Sequence, residues 1–165
     1  MRLYHGSDVA VAAPRLVGQR RGLDFGSGFY TTSNLTQAER FSANVARRRR
    51  SSSQFVSEYD FDENVAFSKL DVLSFSAPDG DWLDFVFACR SGSYDGPGYD
   101  LVVGPVANDD VYPTLQAFAY GVLTREQAID ALRVRRLYNQ YVFRSEEALS
   151  FLEFVSAFSP VEASG

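Results

Sequence analysis

Residues 24–45 read DFGSGFYTTSNLTQAERFSANV, and the fold follows from how this stretch is divided. Gly26 and Gly28 flank a turn. Phe29, Tyr30, Thr31 and Thr32 are aromatic or β-branched, which predicts a strand. Asn34 is a good helix N-cap, and Leu35, Ala38, Phe41 and Val45 come after it at helical spacing. The glycine pair is not a dinucleotide-binding fingerprint. It lacks the third glycine, and the residues after it read as strand rather than helix.

Upstream, Arg2-Leu3-Tyr4-His5 predicts a short strand ended by Gly6-Ser7, and residues 8–23 are irregular, punctuated by Pro14, Gly18 and Gly22. Downstream, the helix runs into Arg47, Arg48, Arg49 and Arg50 and then three serines, a polar stretch expected on the surface. The alternative reading of Arg47–Arg50 is a phosphate-contacting patch, and Arg20, Arg21, Arg133, Arg135, Arg136 and Arg144 would add to such a surface. Residues 54–61 and 65–70 predict two strands joined by the turn-like Asp62-Glu63-Asn64. Residues 79–90 predict a helix with Trp82, Phe85, Val86 and Cys89 on one face. A Gly- and Ser-rich loop at 91–98 precedes an apolar, buried strand at 99–106. Helices are expected at 111–120 and 124–132, the second opened by the capping box of Thr124 and Gln127. A strand at 137–143 and a helix at 145–154, capped by Ser145, complete the set. Asn108-Asp109-Asp110 reads as a helix N-terminal cap. Strands and helices mix without regular βαβ alternation, so the expectation is one α+β domain over residues 1–158 and a flexible tail over 159–165.

Composition bounds the function. The chain has 165 residues and 45% hydrophobic composition, enough for one sizeable core. Its formal net charge of −5 disfavours general nucleic-acid binding, since the phosphate backbone rewards positive charge, although a local basic patch can override the global sign. Cys89 is the single cysteine, so there is no internal disulfide and no metal-ligand spacing; its apolar neighbours mark it as a buried small residue. The first strand begins beside Met1, leaving no room for a signal peptide, and no apolar run approaches the roughly 20 residues of a membrane span. A cytoplasmic protein without membrane association or metal is expected.

Three segments carry chemistry: Leu3-Tyr4-His5-Gly6-Ser7, Gly26-Ser27-Gly28-Phe29-Tyr30-Thr31-Thr32, and Tyr138-Asn139-Gln140-Tyr141-Val142-Phe143. Singly, each has an ordinary structural explanation. A lone histidine is more often structural than catalytic, Tyr30 reads as a core tyrosine with a satisfied hydroxyl, and Gln140 reads as an edge residue. Taken in order, they resemble the ADP-ribosyltransferase superfamily in its poly(ADP-ribose) polymerase and diphtheria-toxin-like branch, marked by a His-Tyr-Glu triad on three core strands. The first strand of that branch ends His-Gly, its second carries Gly-x-Gly-aromatic-Tyr before a helix, and its last carries Asn-Glu-Tyr in the polymerases. The chain is also similar to a small bacterial family whose members begin with a Leu-Tyr-His-Gly-Ser strand. The resemblance spans residues 3–143 and implies an ADP-ribosyltransferase-like split β-sheet core flanked by helices.

The resemblance further implies NAD as substrate. His5 would hydrogen-bond the adenosine ribose, the Gly6 backbone would grip the nicotinamide carboxamide, and Tyr30 would stack on the nicotinamide ring. Phe41 or Tyr141 would complete the aromatic clamp. Ser7, Gly28 and Thr31 belong to the same implied NAD-contacting set, and Arg21, in a loop that covers the site in the family, would meet the pyrophosphate. The phosphate that an Arg47–Arg50 patch would contact is that of NAD or of a nucleic-acid acceptor. The catalytic set carried over is His5, Tyr30 and Gln140. Gln140 departs from the pattern: it keeps a hydrogen bond where the family has a glutamate but loses the charge, and charge-assisted hydrogen bonds are roughly twice as strong as neutral ones. That argues against chain elongation and leaves mono-ADP-ribosylation of a better nucleophile. Tyr138 stands where arginine-modifying members carry Glu or Gln, which argues against an arginine acceptor.

The expected function is therefore an NAD-dependent mono-ADP-ribosyltransferase acting on a macromolecule, protein or nucleic acid. A small standalone domain of this kind resembles the toxin of a toxin–antitoxin or anti-phage system, with an antitoxin protein as partner. The alternative is a catalytically weak or inactive NAD-binding or protein-interaction module of the same fold.

Overall fold

The computed structural model describes residues 1–18, 22–106, 111–133 and 138–160. Its elements are β1 (Arg2–Ser7), β2 (Phe29–Thr32), α1 (Leu35–Arg49), β3 (Phe55–Phe61), α2 (Glu63–Lys69), β4 (Val72–Ser74), α3 (Gly80–Ser91), β5 (Leu101–Pro105), α4 (Tyr112–Ala119), α5 (Arg125–Arg133), β6 (Asn139–Phe143), α6 (Glu146–Leu149) and β7 (Leu152–Phe158). The strands form one seven-stranded sheet in the order β4-β5-β6-β2-β1-β3-β7. Every pairing is antiparallel except β4 with β5, which α3 joins as a single crossover unit. The architecture is α+β.

The sheet has a core on each face, as the two-residue period of a strand requires. On one face Leu3, Phe29, Tyr59, Phe61, Tyr141 and Phe143 pack beneath Ala66 and Leu70 of the α2 segment and Ala148 and Leu149 of α6. On the other, Val102 and Val142 meet Phe25, Trp82, Leu83, Val86, Leu115 and Leu132 from the 22–28 turn and α3–α5. Trp82 is fully buried, and its indole N–H donates to the Pro105 carbonyl at 3.0 Å, so the largest side chain of that core leaves no polar group unsatisfied. Helix α1 packs on this second face, over β1.

Helix caps follow sequence chemistry. The Asn34 and Asp79 side chains accept from Gln37 N and Trp82 N at the starts of α1 and α3. The Thr124–Gln127 capping box is reciprocal, at 2.9 and 3.2 Å. Cys89 is buried in the second core, as its neighbours suggest, and burial pushes its thiol up to about 11.

The structure corrects two local expectations and adds a strand. Residues 65–70 are not a strand: Asp62 accepts from Val65 N and opens α2, whose Ala66 is buried. The final helix is one turn, α6, after which the chain turns into β7. Strand β4, only three residues long, leaves no alternation long enough to read from sequence. In α4 the N-cap is Val111, with no side-chain capping bond; Asn108, Asp109 and Asp110 lie outside the described residues, as do Arg20, Arg21, Arg135, Arg136 and the last five residues of the tail. Strand β7 forms an outer edge of the sheet. Its ladder with β3 shifts register between Glu58 and Tyr59, which face Ser156 and Phe154, so Val155 stands as a bulge.

Candidate functional site

The three chemistry-bearing segments lie on β1, β2 and β6, which are consecutive neighbours at the centre of the sheet. Between β2 and β6 the ladder is regular: Tyr30 faces Val142 and Thr32 faces Gln140. Between β1 and β2 one register pair holds, Tyr4 with Thr32. Beyond it the Tyr30 carbonyl is met by the His5 side chain, Nδ1 to O at 2.7 Å. A carbonyl only accepts, so Nδ1 carries the proton, and in neutral His5 it is Nε2 that keeps the lone pair.

Strand alternation sorts the site residues by face. Tyr30, Thr32 and Gln140 share the face carrying α1 and α3–α5. His5 stands on the opposite face, its ring stacked on Phe29 with centroids 4.3 Å apart and planes 29° apart. A strap from the 8–18 segment runs over that face: Val11 N–H donates to Ser57 Oγ at 2.9 Å, and the Tyr59 hydroxyl donates to the Val11 carbonyl at 2.5 Å. Asp8 pairs with Arg49 of α1 at 2.6 Å. His5 and Tyr30 thus meet along the β1–β2 seam through the Tyr30 backbone.

Desolvation holds the His5 imidazole below the usual histidine range; the Tyr30 carbonyl opposes this and the Arg49 charge adds to it. A depressed pKa means that the fold prefers neutral His5. The contribution of His5 is therefore full above its unfolded value near 6.5 and is lost as pH falls through the lower folded value. Urea unfolding between about pH 7.5 and pH 5 should cost the wild type more stability than His5→Gln, which cannot titrate there. Equal pH dependence of the two proteins would contradict this assignment.

Tyr30 latches the turn before its own strand. Its hydroxyl donates to the Gly26 carbonyl at 2.6 Å and accepts from Phe25 N at 3.1 Å. Burial raises its pKa, with the Phe25 N–H bond working against it and Asp24 adding to the rise. Gly28 fits here because a Cβ would stand 2.7 Å from the Phe143 carbonyl. Gly6 fits for a similar reason on the other side of the seam: a Cβ would overlap the Ala38 carbonyl of α1. Helix packing thus requires a glycine at position 6 whether or not a ligand approaches it.

Gln140 is 4% exposed, and its Nε2 has no hydrogen-bond partner among the described residues. A buried amide left unpaired costs about 1–3 kcal/mol, so it marks either strain or a place for a polar ligand atom. Its register partner Thr32 lies 2.8 Å from Gln37 Oε1 of α1. Nothing in the sequence pattern sets Gln37 apart. Arg144 is not the surface arginine that its sequence suggests: its Nη1 is buried without a partner among the described residues, and a Cβ on Gly26 would stand 3.6 Å from its Nη2.

Other members of the implied set are dispersed. Ser7 is buried at the end of β1, its hydroxyl 3.3 Å from Asp8 Oδ1. Thr31 is buried on the His5 face and donates to the Tyr141 carbonyl at 3.0 Å. Tyr141 is buried on that same face, away from Tyr30, and its hydroxyl donates to Glu63 of α2 at 2.8 Å. Phe41 stands 46% exposed on α1. Glu146 and Glu147 come after β6 at the end away from Gln140, so neither is placed to stand in for a carboxylate at position 140. No described group of three His, Cys, Asp or Glu side chains is arranged to hold a metal, and no helix among the described residues is long and apolar enough to cross a membrane.

No curated protein and no solved structure matches the chain. The family model described as "Protein of unknown function (DUF3990)" matches residues 1–154, from before β1 into β7 and across all three site strands. The chain belongs to the DUF3990 family.

Proposed function

We propose that this chain is an NAD-dependent mono-ADP-ribosyltransferase with an ADP-ribosyltransferase-like core, acting on a macromolecule. The observation that carries the reading is the adjacency of β1, β2 and β6 at the centre of the sheet, with the β1–β2 ladder parting beside His5 and Tyr30. The two polar groups stand on opposite faces of the sheet, with His5 Nε2 on the Phe29 face as an acceptor for a ribose hydroxyl. The unpaired Gln140 amide, a donor, stands on the face that carries α1 and α3–α5. Each group suits a sugar hydroxyl, and one ligand engages both only where β1 and β2 part further along the seam.

In the proposed reaction the acceptor's nucleophile attacks C1′ of the nicotinamide ribose as the bond to nicotinamide breaks. Nicotinamide leaves as a neutral molecule with the bonding pair, and the acceptor gives up its proton. The protein's contribution is to hold donor and acceptor in line, which is positioning catalysis. Gln140 stabilises the ribose by a neutral hydrogen bond and does not offset the developing positive charge.

The test is transfer of label from adenine-labelled NAD into a bacterial lysate split into protein, nucleic-acid and small-molecule fractions. Label is expected in one macromolecular fraction with wild type, and in none with His5→Ala or Tyr30→Ala. Expression of the wild type is expected to arrest bacterial growth, in keeping with a toxin held by an antitoxin partner. The uncharged Gln140 favours a second reading, an NAD-binding module without turnover. Folded protein that binds NAD yet releases no nicotinamide and transfers no label would establish that second reading in place of the first.

A further inference from the structure

The chain is acidic overall, yet its basic residues are segregated. Five of its 16 lysines and arginines, Arg40, Arg47, Arg48, Arg49 and Arg50, fall within eleven consecutive positions. They lie on α1 or at its C-cap, and all are exposed. Arg49 pairs with Asp8; among the described residues the other four form no ion pair. Arg47 makes only a neutral contact, to Asn44 Oδ1 at 2.9 Å. The helix macrodipole accounts for cations in the last turn, each stabilising by about 0.3–1 kcal/mol. It does not account for Arg40, two turns earlier.

We propose that this face of α1 binds the sugar–phosphate backbone of a single-stranded nucleic acid. Helical spacing puts Arg40 and Arg47 on one stripe, seven residues apart, and puts Arg48 on another with Phe41. From Arg40 to Arg50 the helix rises about 15 Å, the axial length of four or five nucleotides. Guanidinium groups fork onto phosphate oxygens with two parallel hydrogen bonds and stack on bases, which ammonium groups do not. The apolar side of α1, with Ala38, Val45 and Ala46, is buried against the sheet. It therefore cannot enter a bilayer, which separates this surface from a basic membrane-binding helix. The stripe of Phe41 and Arg48 continues from Gln37, whose Oε1 meets Thr32 in the sheet, so a strand on this face would run toward the seam. The inference concerns binding alone and stands apart from the NAD chemistry.

The experiment is fluorescence anisotropy of labelled single-stranded DNA and RNA 12-mers with the full chain, in the absence of NAD, at two salt concentrations. The comparison is wild type against Arg40→Gln/Arg47→Gln/Arg48→Gln, in which every changed side chain is exposed and the Arg49–Asp8 pair is kept. The expected result is binding that the triple variant weakens at least tenfold. The slope of log affinity against log salt should fall by about 2, at about 0.7 for each phosphate that the variant no longer neutralises on a single strand. Equal affinity of the two proteins would overturn the proposal. So would wild type that binds vesicles of anionic phospholipid or polyglutamate but not the oligonucleotides. Label transfer from NAD is scored separately, so either reading can fail without the other.

Discussion

Gly6→Ala is expected to destabilise the protein by about 3 kcal/mol or more, lowering Tm by about 10 °C. The added methyl group would overlap the Ala38 carbonyl oxygen and stand 2.7 Å from Ser42 N. Both neighbours are helix backbone and cannot swing aside as a side-chain tip can. Helix α1 would have to lift off β1, and Ala38, Ser42, Val45 and Ala46, all buried beneath it, would lose their packing together. Gly18→Ala is the matched control: nothing lies within 4 Å of a Cβ there, and the change should be close to neutral. Urea or thermal unfolding of the two variants settles the matter, and a Gly6→Ala protein within about 0.5 kcal/mol of wild type would contradict this packing.

Gln140→Glu should have the second large effect, and it is pH-dependent. The new carboxylic acid keeps the shape of the amide but sits where the side chain is 4% exposed, between Thr32 and Gly104 in the ladder. Burial raises a carboxyl pKa because water no longer solvates the anion. Below the unfolded value near 4.3 both states are protonated and the variant loses little; as pH rises toward the folded value the unfolded chain ionises first and stability falls. A shift of two units corresponds to about 2.7 kcal/mol, visible as a gap from wild type that opens between pH 5 and pH 8. A gap that stays constant with pH would mean that the carboxylate finds a cation or water there. The same variant reports on chemistry. If the chain is a transferase weakened by its glutamine, nicotinamide release at pH 8 should rise at least about tenfold, equivalent to about 1.4 kcal/mol at the transition state. Release lost on the change would mean a site tuned to glutamine, and no release from either protein would favour the binding module.

The legible parts of the fold are those where one residue states one local rule. Asn34 caps α1 and the apolar positions Ala38 and Val45 behind it are buried as their spacing demands. Thr124 and Gln127 satisfy each other's backbone groups. The illegible parts are short apolar runs whose period is ambiguous. Residues 65–70 contain Val65, Ala66, Phe67 and Leu70, which fit a strand by composition. Two facts decide for a helix: Asp62 caps rather than turns, and Ala66 and Leu70, four apart, are the buried pair while Val65 and Phe67 are exposed. The capping residue Ser145 invites a helix through residue 154, although Phe154 and Val155 favour a strand. Pairing with β3, distant in sequence, decides that outcome.

For the site, the order of the three segments along the chain is enough to expect their strands together, and they are neighbours in the sheet. Which face each side chain takes is not legible from the segments alone, because it depends on the register between strands distant in sequence, Tyr4 with Thr32 and Thr32 with Gln140. By that register His5 lies across the sheet from Tyr30, and Tyr141, paired with Thr31, does so as well. Arg144 groups with surface arginines by sequence because a charge at the end of a strand normally points to solvent. Gly28 is required by the closeness of β6, where a Cβ would stand 2.7 Å from the Phe143 carbonyl and the Val142 side chain, a role that a turn-forming Gly-x-Gly pattern does not announce.

The bulge at Val155 bears on how this protein behaves at high concentration. An exposed outer strand with aromatic and aliphatic side chains, Phe154 and Val155 among them, is normally a template on which a second sheet can zip. One extra residue throws the free N–H and C=O groups of β7 out of step halfway along, so an incoming strand in register with one half is out of register with the other. The irregularity lets the sheet end at β7 instead of growing into a fibril.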